Sequence, residues 1–332
     1  MKKPKVTIYE VAGKANVSLA TVSRVLNYPE KVKQSTRDRV MEVINELGYR
    51  PNAIARGLAS RKSTFIGIVV PDFSRASVAE AVNGIALLAN SYGYQILVFP
   101  AEGEDRSSKD VWADVVASQV DGVLYLNDLV LEEDISYMKT MSMPIVVANV
   151  MVDDDQTPIP TVNIDYEKAA YDITQKLIKR GRKQIMLAQT RRYYSMNQAK
   201  EMGYLRALKE AGLNPIILRT SGKPHVNYPV VTDFLRNNKV DAIIGVRDSI
   251  AVACLNVAIE LGHNVPEDIE VYGFQNTRTA LLSRPQLSTV DVPTFEIGKQ
   301  AMEMLTVLME DGTLDELEVK VPFGIVERGS TK

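Results

Sequence analysis

Thr7-Ile8-Tyr9-Glu10-Val11-Ala12, then Ala15-Asn16-Val17-Ser18-Leu19-Ala20-Thr21-Val22-Ser23-Arg24-Val25-Leu26-Asn27, is the stretch that decides how the chain begins. Ile8, Val11, Ala12 and Ala15 recur at helical spacing and share one face. Asn16 stands at a tight turn, where its short polar side chain tolerates a left-handed backbone. Ser18 is a good N-cap for a second helix. In that helix Val22, Val25 and Leu26 point inward, and Leu19, Ala20, Ser23, Arg24 and Asn27 fall on the opposite face. Residues 32–47 read as a third amphipathic helix, capped near Ser35 and stopped by Gly48, with Val40, Val43, Ile44 and Leu47 completing a small core.

A helix-turn-helix that enters a major groove needs this division, one face packed and one face free. Arg24 can offer a two-pronged donor to guanine, and Leu19 and Ala20 can make apolar contacts to thymine methyls. Thr7, Tyr9, Ser18, Thr21 and Asn27 can contact phosphate or sugar and set register, and Ser23 stands with them on the DNA-facing side. Charge agrees. Residues 1–62 hold 13 Lys/Arg and five Asp/Glu, a balance of +8, while the whole chain is −2, so residues 63–332 carry −10. A basic arm on an acidic body suits a phosphate-rich partner.

Arg50-Pro51-Asn52-Ala53-Ile54-Ala55-Arg56-Gly57-Leu58-Ala59-Ser60 follows. Pro51 restrains the backbone and Asn52 can cap a short helix over 53–60. Helices below ~12–15 residues are marginal in water, and an interior Gly costs roughly 1 kcal/mol relative to Ala. With the preceding motif, this string resembles the lactose-repressor (LacI/GalR) family of bacterial transcription factors. The resemblance implies a hinge helix in which Leu58 is an apolar wedge for the minor groove, Ala55 permits close helix approach, and Asn52 and Arg56 contact DNA. It also implies a homodimer that reads a pseudo-palindromic operator as a repressor. The absence of a heptad tail argues for a dimer rather than a tetramer.

The rest reads as α/β. Phe65-Ile66-Gly67-Ile68-Val69-Val70-Pro71-Asp72 is an apolar run closed by turn residues, as a buried parallel strand requires. Helices and strands then alternate to residue 150, and a second half, opened by Val162-Asn163-Ile164-Asp165-Tyr166, repeats the scheme. The second half's helices are expected near 166–180, 195–211, 230–237, 249–261 and 294–310. The expected fold class is an all-α headpiece (1–50), a hinge and linker (51–62), and a core of two doubly wound lobes resembling periplasmic binding proteins. The N-lobe is expected over 63–161 and 291–321, and the C-lobe over 162–290 and 322–332.

Composition is ordinary for a globular protein, 45% hydrophobic and 24% charged. Cys254 is the sole cysteine, which excludes an intrachain disulfide and suits a reducing cytoplasm. No apolar run reaches the ~18–20 residues of a membrane span. The opening Met-Lys-Lys-Pro-Lys lacks a following apolar region, so it is not read as an export signal. The two histidines, His225 and His263, have no metal-ligand spacing, and neither a P-loop nor a nucleophile elbow occurs. Asp153-Asp154-Asp155 reads as a solvated loop. No cofactor, metal or catalytic residue is expected, and the chain is read as a non-enzyme.

Candidate effector residues are Asp72, Lys200, Arg247, Asp248 and Gln275, placed at C-terminal strand ends or adjoining helix starts, where α/β ligands bind. Lys200 and Arg247 suit a sugar phosphate, and a plain sugar stays open. Within the family, the strings Tyr49–Ser60, Asn276-Thr277-Arg278 and Ser330-Thr331-Lys332 are most similar to the catabolite-control subgroup. That resemblance implies a seryl-phosphorylated phosphocarrier protein, HPr, as corepressor, contacting the helix after Pro293 through Phe295, Glu296 and position 303. Here Glu303 and Val307 replace the subgroup's Arg and Lys. A carboxylate at 303 repels phosphoserine, so phosphorylated HPr stands only as the alternative regulator. The competing functional class is a cytoplasmic sugar-binding or carbohydrate-acting protein whose basic arm lacks operator specificity.

Overall fold

The computed structural model describes residues 6–27, 29–49, 63–71, 75–101, 107–150, 152, 159–191, 194–222 and 224–332. The chain divides into two compact units, Met1–Thr64 and Phe65–Lys332.

In the first unit, α1 (Ile8–Ala15) starts where Glu10 folds back on Thr7, its carboxylate accepting from the Thr7 backbone N–H at 2.7 Å and the Thr7 hydroxyl at 2.9 Å. It ends at Asn16, whose φ of 51° is left-handed, the conformation the sequence asks for. Ser18 caps α2 (Leu19–Asn27), its hydroxyl accepting from the Thr21 N–H at 3.2 Å. A 3-10 turn, Pro29–Lys31, leads into α3 (Gln34–Leu47), which Gly48 stops with φ 62°. The expected cap near Ser35 is not the one used: Ser35 lies inside the first turn, and Lys33 occupies the cap position without a side-chain bond. Val11, Val22, Val25 and Val40 are all but sealed from solvent, with Ala12, Ala15, Val43 and Ile44 around them.

The second unit runs β1 (Phe65–Val70), α4 (Ala76–Ser91), β2 (Gln95–Pro100), α5 (Ser108–Ala117), β3 (Gly122–Tyr125), α6 (Glu132–Thr140), β4 (Ile145–Ala148) and β5 (Thr161–Asn163). It continues with α7 (Tyr166–Lys179), β6 (Ile185–Thr190), α8 (Ser195–Glu210), β7 (Ile216–Thr220), α9 (Pro224–Asn237), β8 (Ala242–Gly245), α10 (Asp248–Glu260), β9 (Glu270–Phe274), α11 (Arg278–Leu282) and β10 (Ser288–Asp291). α12 (Thr294–Met309), β11 (Glu318–Lys320) and β12 (Gly324–Val326) complete it. The expectation for α9 is corrected: the helix begins at Pro224, not at 230, and carries Pro229 within it.

Two six-stranded sheets result, ordered β11-β5-β4-β3-β1-β2 and β12-β10-β9-β8-β6-β7. Every pairing is parallel except β10 with β12. Their central strands are mostly apolar because helices cover both faces, with Glu270 in β9 a buried exception. Strand pairing moves two lobe boundaries. Val162 pairs with Ala148 and Val319, and Asn163 with Lys320, so the first crossing follows Asn163 instead of preceding Val162. Asp291 pairs with Gly324 in the second sheet, which puts the next crossing one residue later than expected. In both cases the ladder partner, not the local pattern, assigns the residue.

Each lobe packs a pair of helices at glycine. A Cβ on Gly203 in α8 would lie 2.0 Å from the Glu167 carbonyl oxygen of α7, and one on Gly84 in α4 would lie 2.1 Å from that of Phe295 in α12. Cys254 is fully buried in α10, and burial pushes its thiol up to about 12.

Candidate DNA-contacting helix and interlobe cleft

In the first unit, α2 presents Leu19, Ala20 and Arg24 outward and seals Val22 and Val25 inside. Leu19 is 38% exposed although apolar, and Tyr9 on α1 is 70% exposed. Ser18 and Thr21 share a 2.8 Å hydroxyl contact at the start of α2. Thr7 remains exposed while capping α1, and Thr21 and Ser23 are half-buried. Asn27 ends the helix. Asn52, Ala55, Arg56 and Leu58 lie outside the described residues, as does Asp72 from the expected effector set.

In the second unit the C-terminal ends of the two sheets' strands face a shared cleft. Four of the expected residues, Lys200, Arg247, Asp248 and Gln275, come together on its C-lobe wall, but their roles differ. Lys200 is 2% exposed, and its ammonium donates to the Val246 carbonyl at 3.0 Å between the rings of Tyr166 and Phe274, 4.9 and 4.7 Å from their centroids. Burial first, and the positive charge of Arg247 second, draw its pKa down to about 7, against the pull of Asp248. The rings and the carbonyl favour the cation, so the ammonium is held near its neutral point by opposing effects.

Both Asp248 oxygens are engaged within the C-lobe. One oxygen accepts from the Thr277 N–H at 2.6 Å and the Thr277 hydroxyl at 2.8 Å, and the other accepts from Thr289 at 2.6 Å. Burial raises its pKa from the carboxylate range, opposed by these bonds. The residue therefore ties the start of α10 to the loop after β9 and to β10.

Arg247 is committed across the cleft. It donates to Asp128 at 2.9 Å, and its guanidinium carbon lies 5.2 Å from the centre of the Tyr194 ring. Asp128 also receives Arg75. Gln275, with φ 105°, reaches the other lobe through a long 3.4 Å contact to Ser77. The opposite wall is completed by Asn127 and Asn149, both buried; the Tyr166 hydroxyl donates to Asn149. Asn127 leaves its side-chain oxygen buried with no bonded partner. Arg75, Asp128, Asn127, Asn149, Ser77, Tyr166 and Tyr194 escape the sequence reading. The strand-end rule that selects Arg247 also points to Asn127 and Asp128, which directly follow an apolar run.

On α12, Phe295 is 37% exposed, and Glu296 and Glu303 are exposed on the same side as Val307. Glu296 accepts from Lys299 at 2.9 Å. Among the described residues no cluster of His, Cys, Asp and Glu is arranged to hold a metal ion, and no helix is long and apolar enough to cross a membrane.

Comparison with known proteins gives these features a context. Residues 7–52 match the bacterial regulatory proteins of the lacI family, and residues 174–331 match the periplasmic binding protein-like domain. Catabolite control protein A of Priestia megaterium is 40% identical, the alignment covering 98% of this chain and 99% of the relative. The Lac repressor bound to ONPG in its repressed state superposes with a TM-score of 0.89 at 25% identity, over 98% of this chain and 100% of that one. The regulator CcpA of Lactococcus lactis superposes at 0.73 with 26% identity, over 81% and 99%. With an outward-facing helix bearing Arg24 in the first unit and two periplasmic-binding-like lobes in the second, the chain belongs to the LacI family of DNA-binding transcriptional regulators.

Proposed function

We propose that the chain is a homodimeric repressor of carbohydrate-metabolism genes that reads a pseudo-palindromic operator and is governed by a small metabolite in the interlobe cleft. The observation that carries the DNA half is the outward row Leu19, Ala20 and Arg24, set against the sealed Val22 and Val25. Leu19, Ala20 and Arg24 read base edges, and Thr7, Tyr9, Ser18, Thr21, Ser23 and Asn27 fix the backbone register. Asn52, Ala55, Arg56 and Leu58 serve the minor groove. The chain works as a regulator, not a catalyst, in the cytoplasm, with residues 1–50 as headpiece and 51–62 as hinge. The carbohydrate assignment is supported by relatives named catabolite control protein A.

For the effector, Arg247 and Arg75 converge on one carboxylate with Lys200 behind them, which favours an anionic ligand such as a sugar phosphate. A phosphoserine protein on α12 is disfavoured, because Glu296 and Glu303 are both exposed there.

The test is operator affinity against scrambled duplex across a salt series. Specific binding persists as salt rises, and non-specific phosphate binding collapses. Arg24→Ala lowers discrimination between the two duplexes by ~1–3 kcal/mol at the base it reads. Equal affinity of the wild type for both duplexes would favour the sugar-binding reading instead.

A further inference from the structure

The two sheets place β3 and β8 at the same position in their strand orders, fourth from the first-named edge. The loops after these strands therefore oppose each other across the cleft. Asp128 lies three residues beyond β3, and Arg247 two residues beyond β8. They meet at 2.9 Å although 119 residues separate them in sequence. Arg75, just ahead of α4 in the N-lobe, joins the same carboxylate oxygen. All three side chains are largely buried, at 15%, 10% and 18% exposure for Arg75, Asp128 and Arg247.

We infer that Asp128 is a built-in interlobe strut: a carboxylate of the protein itself occupies the place between two guanidiniums where an effector's acidic group would sit, and holds the lobes together without any effector. This inference rests on reading the cleft as the effector site. Three features support it. The bond crosses lobes, so it reports on their separation and not on the stability of one lobe. One carboxylate holds two guanidiniums in a poorly solvated site, so a ligand anion of the same charge can take its place on both. The other crossing contacts, Gln275 to Ser77 at a long 3.4 Å and the Tyr166 hydroxyl to Asn149, join neutral groups, whereas this one is charge-assisted. A ligand with differential affinity for the open and closed arrangements then acts by competing with Asp128.

Hydrogen exchange on the full-length protein, with no ligand added, tests the strut. Arg247→Met preserves side-chain bulk and leaves the Arg75–Asp128 pair intact. It should speed amide exchange at least ~5-fold at 126–130, on the wall opposite the substitution, and shift operator affinity by a similar factor or more. Asp128→Asn should do the same at 246–250 and 275–277. Arg219→Met, which removes an exposed pair with Glu201 inside the C-lobe, should move neither wall. If Arg247→Met and Asp128→Asn fold and neither alters the opposite wall, the strut is refuted. The double variant should equal the single ones, and additive effects would equally refute it.

Inorganic phosphate separates this inference from the effector reading. Asp128→Asn should bind phosphate at least tenfold more tightly than the wild type, and adding Arg247→Met should abolish that gain. Faster exchange on both walls with no phosphate bound by any variant supports the strut and sinks the anionic effector.

Discussion

The two lobes are built to one plan and fitted with different chemistry. Both use the same strand order, and both pack a helix pair at a glycine nine residues into the helix after the first strand: Gly84 in α4 and Gly203 in α8. Asn149 after β4 and Gln275 after β9 are equivalent positions in the two sheets, and both adopt positive φ, 60° and 105°. The contents differ. Away from the cleft the C-lobe buries a carboxylate, Glu270, bonded to Arg180 at 3.0 Å and Arg182 at 2.8 Å. The N-lobe has an aromatic cluster, in which Trp112 stacks on Tyr125 at 5.9 Å and donates to the buried Asp134 at 2.9 Å. At the cleft the C-lobe offers Lys200 and Arg247, and the N-lobe answers with Asp128. A repeated scaffold fixes where loops converge, and the residues placed on those loops decide what they bind.

That comparison can be broken most sharply at the buried carboxylate. Glu270→Ala leaves Arg180 and Arg182 without their shared partner, and a buried pair broken on one side costs about 3–5 kcal/mol. The expected result is a large loss in the urea midpoint with the headpiece still binding operator fragments. If Asp134→Ala in the N-lobe costs as much, the contrast between an ionic cluster in one lobe and an aromatic one in the other fails.

The glycine crossings test the shared plan. Gly203→Ala and Gly84→Ala place a methyl against a backbone carbonyl that cannot rotate away, so each should cost about 3 kcal/mol, the upper end for overpacking. Equal losses in denaturant titration sustain the equivalence of the two helix pairs. A loss confined to one lobe would show that only that crossing is closely packed.

Lys200 gives a smaller effect, dependent on pH. Its pKa falls to about 7 in the folded chain from 10.5 unfolded, so between those values the unfolded chain binds more protons. Stability therefore rises with pH in that window, by about 1 kcal/mol per pH unit from this group, and is level below it. Lys200→Met should flatten the rise between pH 7 and 9 and raise the midpoint at pH 7. A slope unchanged by the substitution rules out Lys200 as its source.

The smallest expected effects come from two helix caps, one per lobe. Ser107 accepts from the Asp110 N–H at 3.3 Å, and Asp165 accepts from the Lys168 N–H at 2.8 Å. Ser107→Ala and Asp165→Ala should each cost ~1 kcal/mol by thermal unfolding. The shorter bond predicts the greater loss in the C-lobe.

How far the sequence reaches can be judged residue by residue. The headpiece is readable because each instruction is local: Asn16 for a left-handed turn, Ser18 for a cap, Val22 and Val25 for one helical face, and Gly48 for a stop. The core strands are readable because a strand covered on both faces must be apolar throughout, as Ile66–Val70 is. The lobe of Val162 and Asn163 is legible only to within a few residues, because a three-residue strand carries no mark of its partner. Asp248 is legible by address, but its ties to Thr277 and Thr289 are not, since those residues come from distant segments.

The sequence by itself determined the helix-turn-helix, the alternation of strands and helices, and the loops on which cleft residues would stand, because periodicity and capping act over a few residues. Only the tertiary structure decided that Arg247 meets Asp128, that Lys200 is sealed between two rings, and that Asp248 turns inward. Those outcomes depend on which loops a sheet order brings face to face, and on how much solvent is left between them, and no local pattern encodes either.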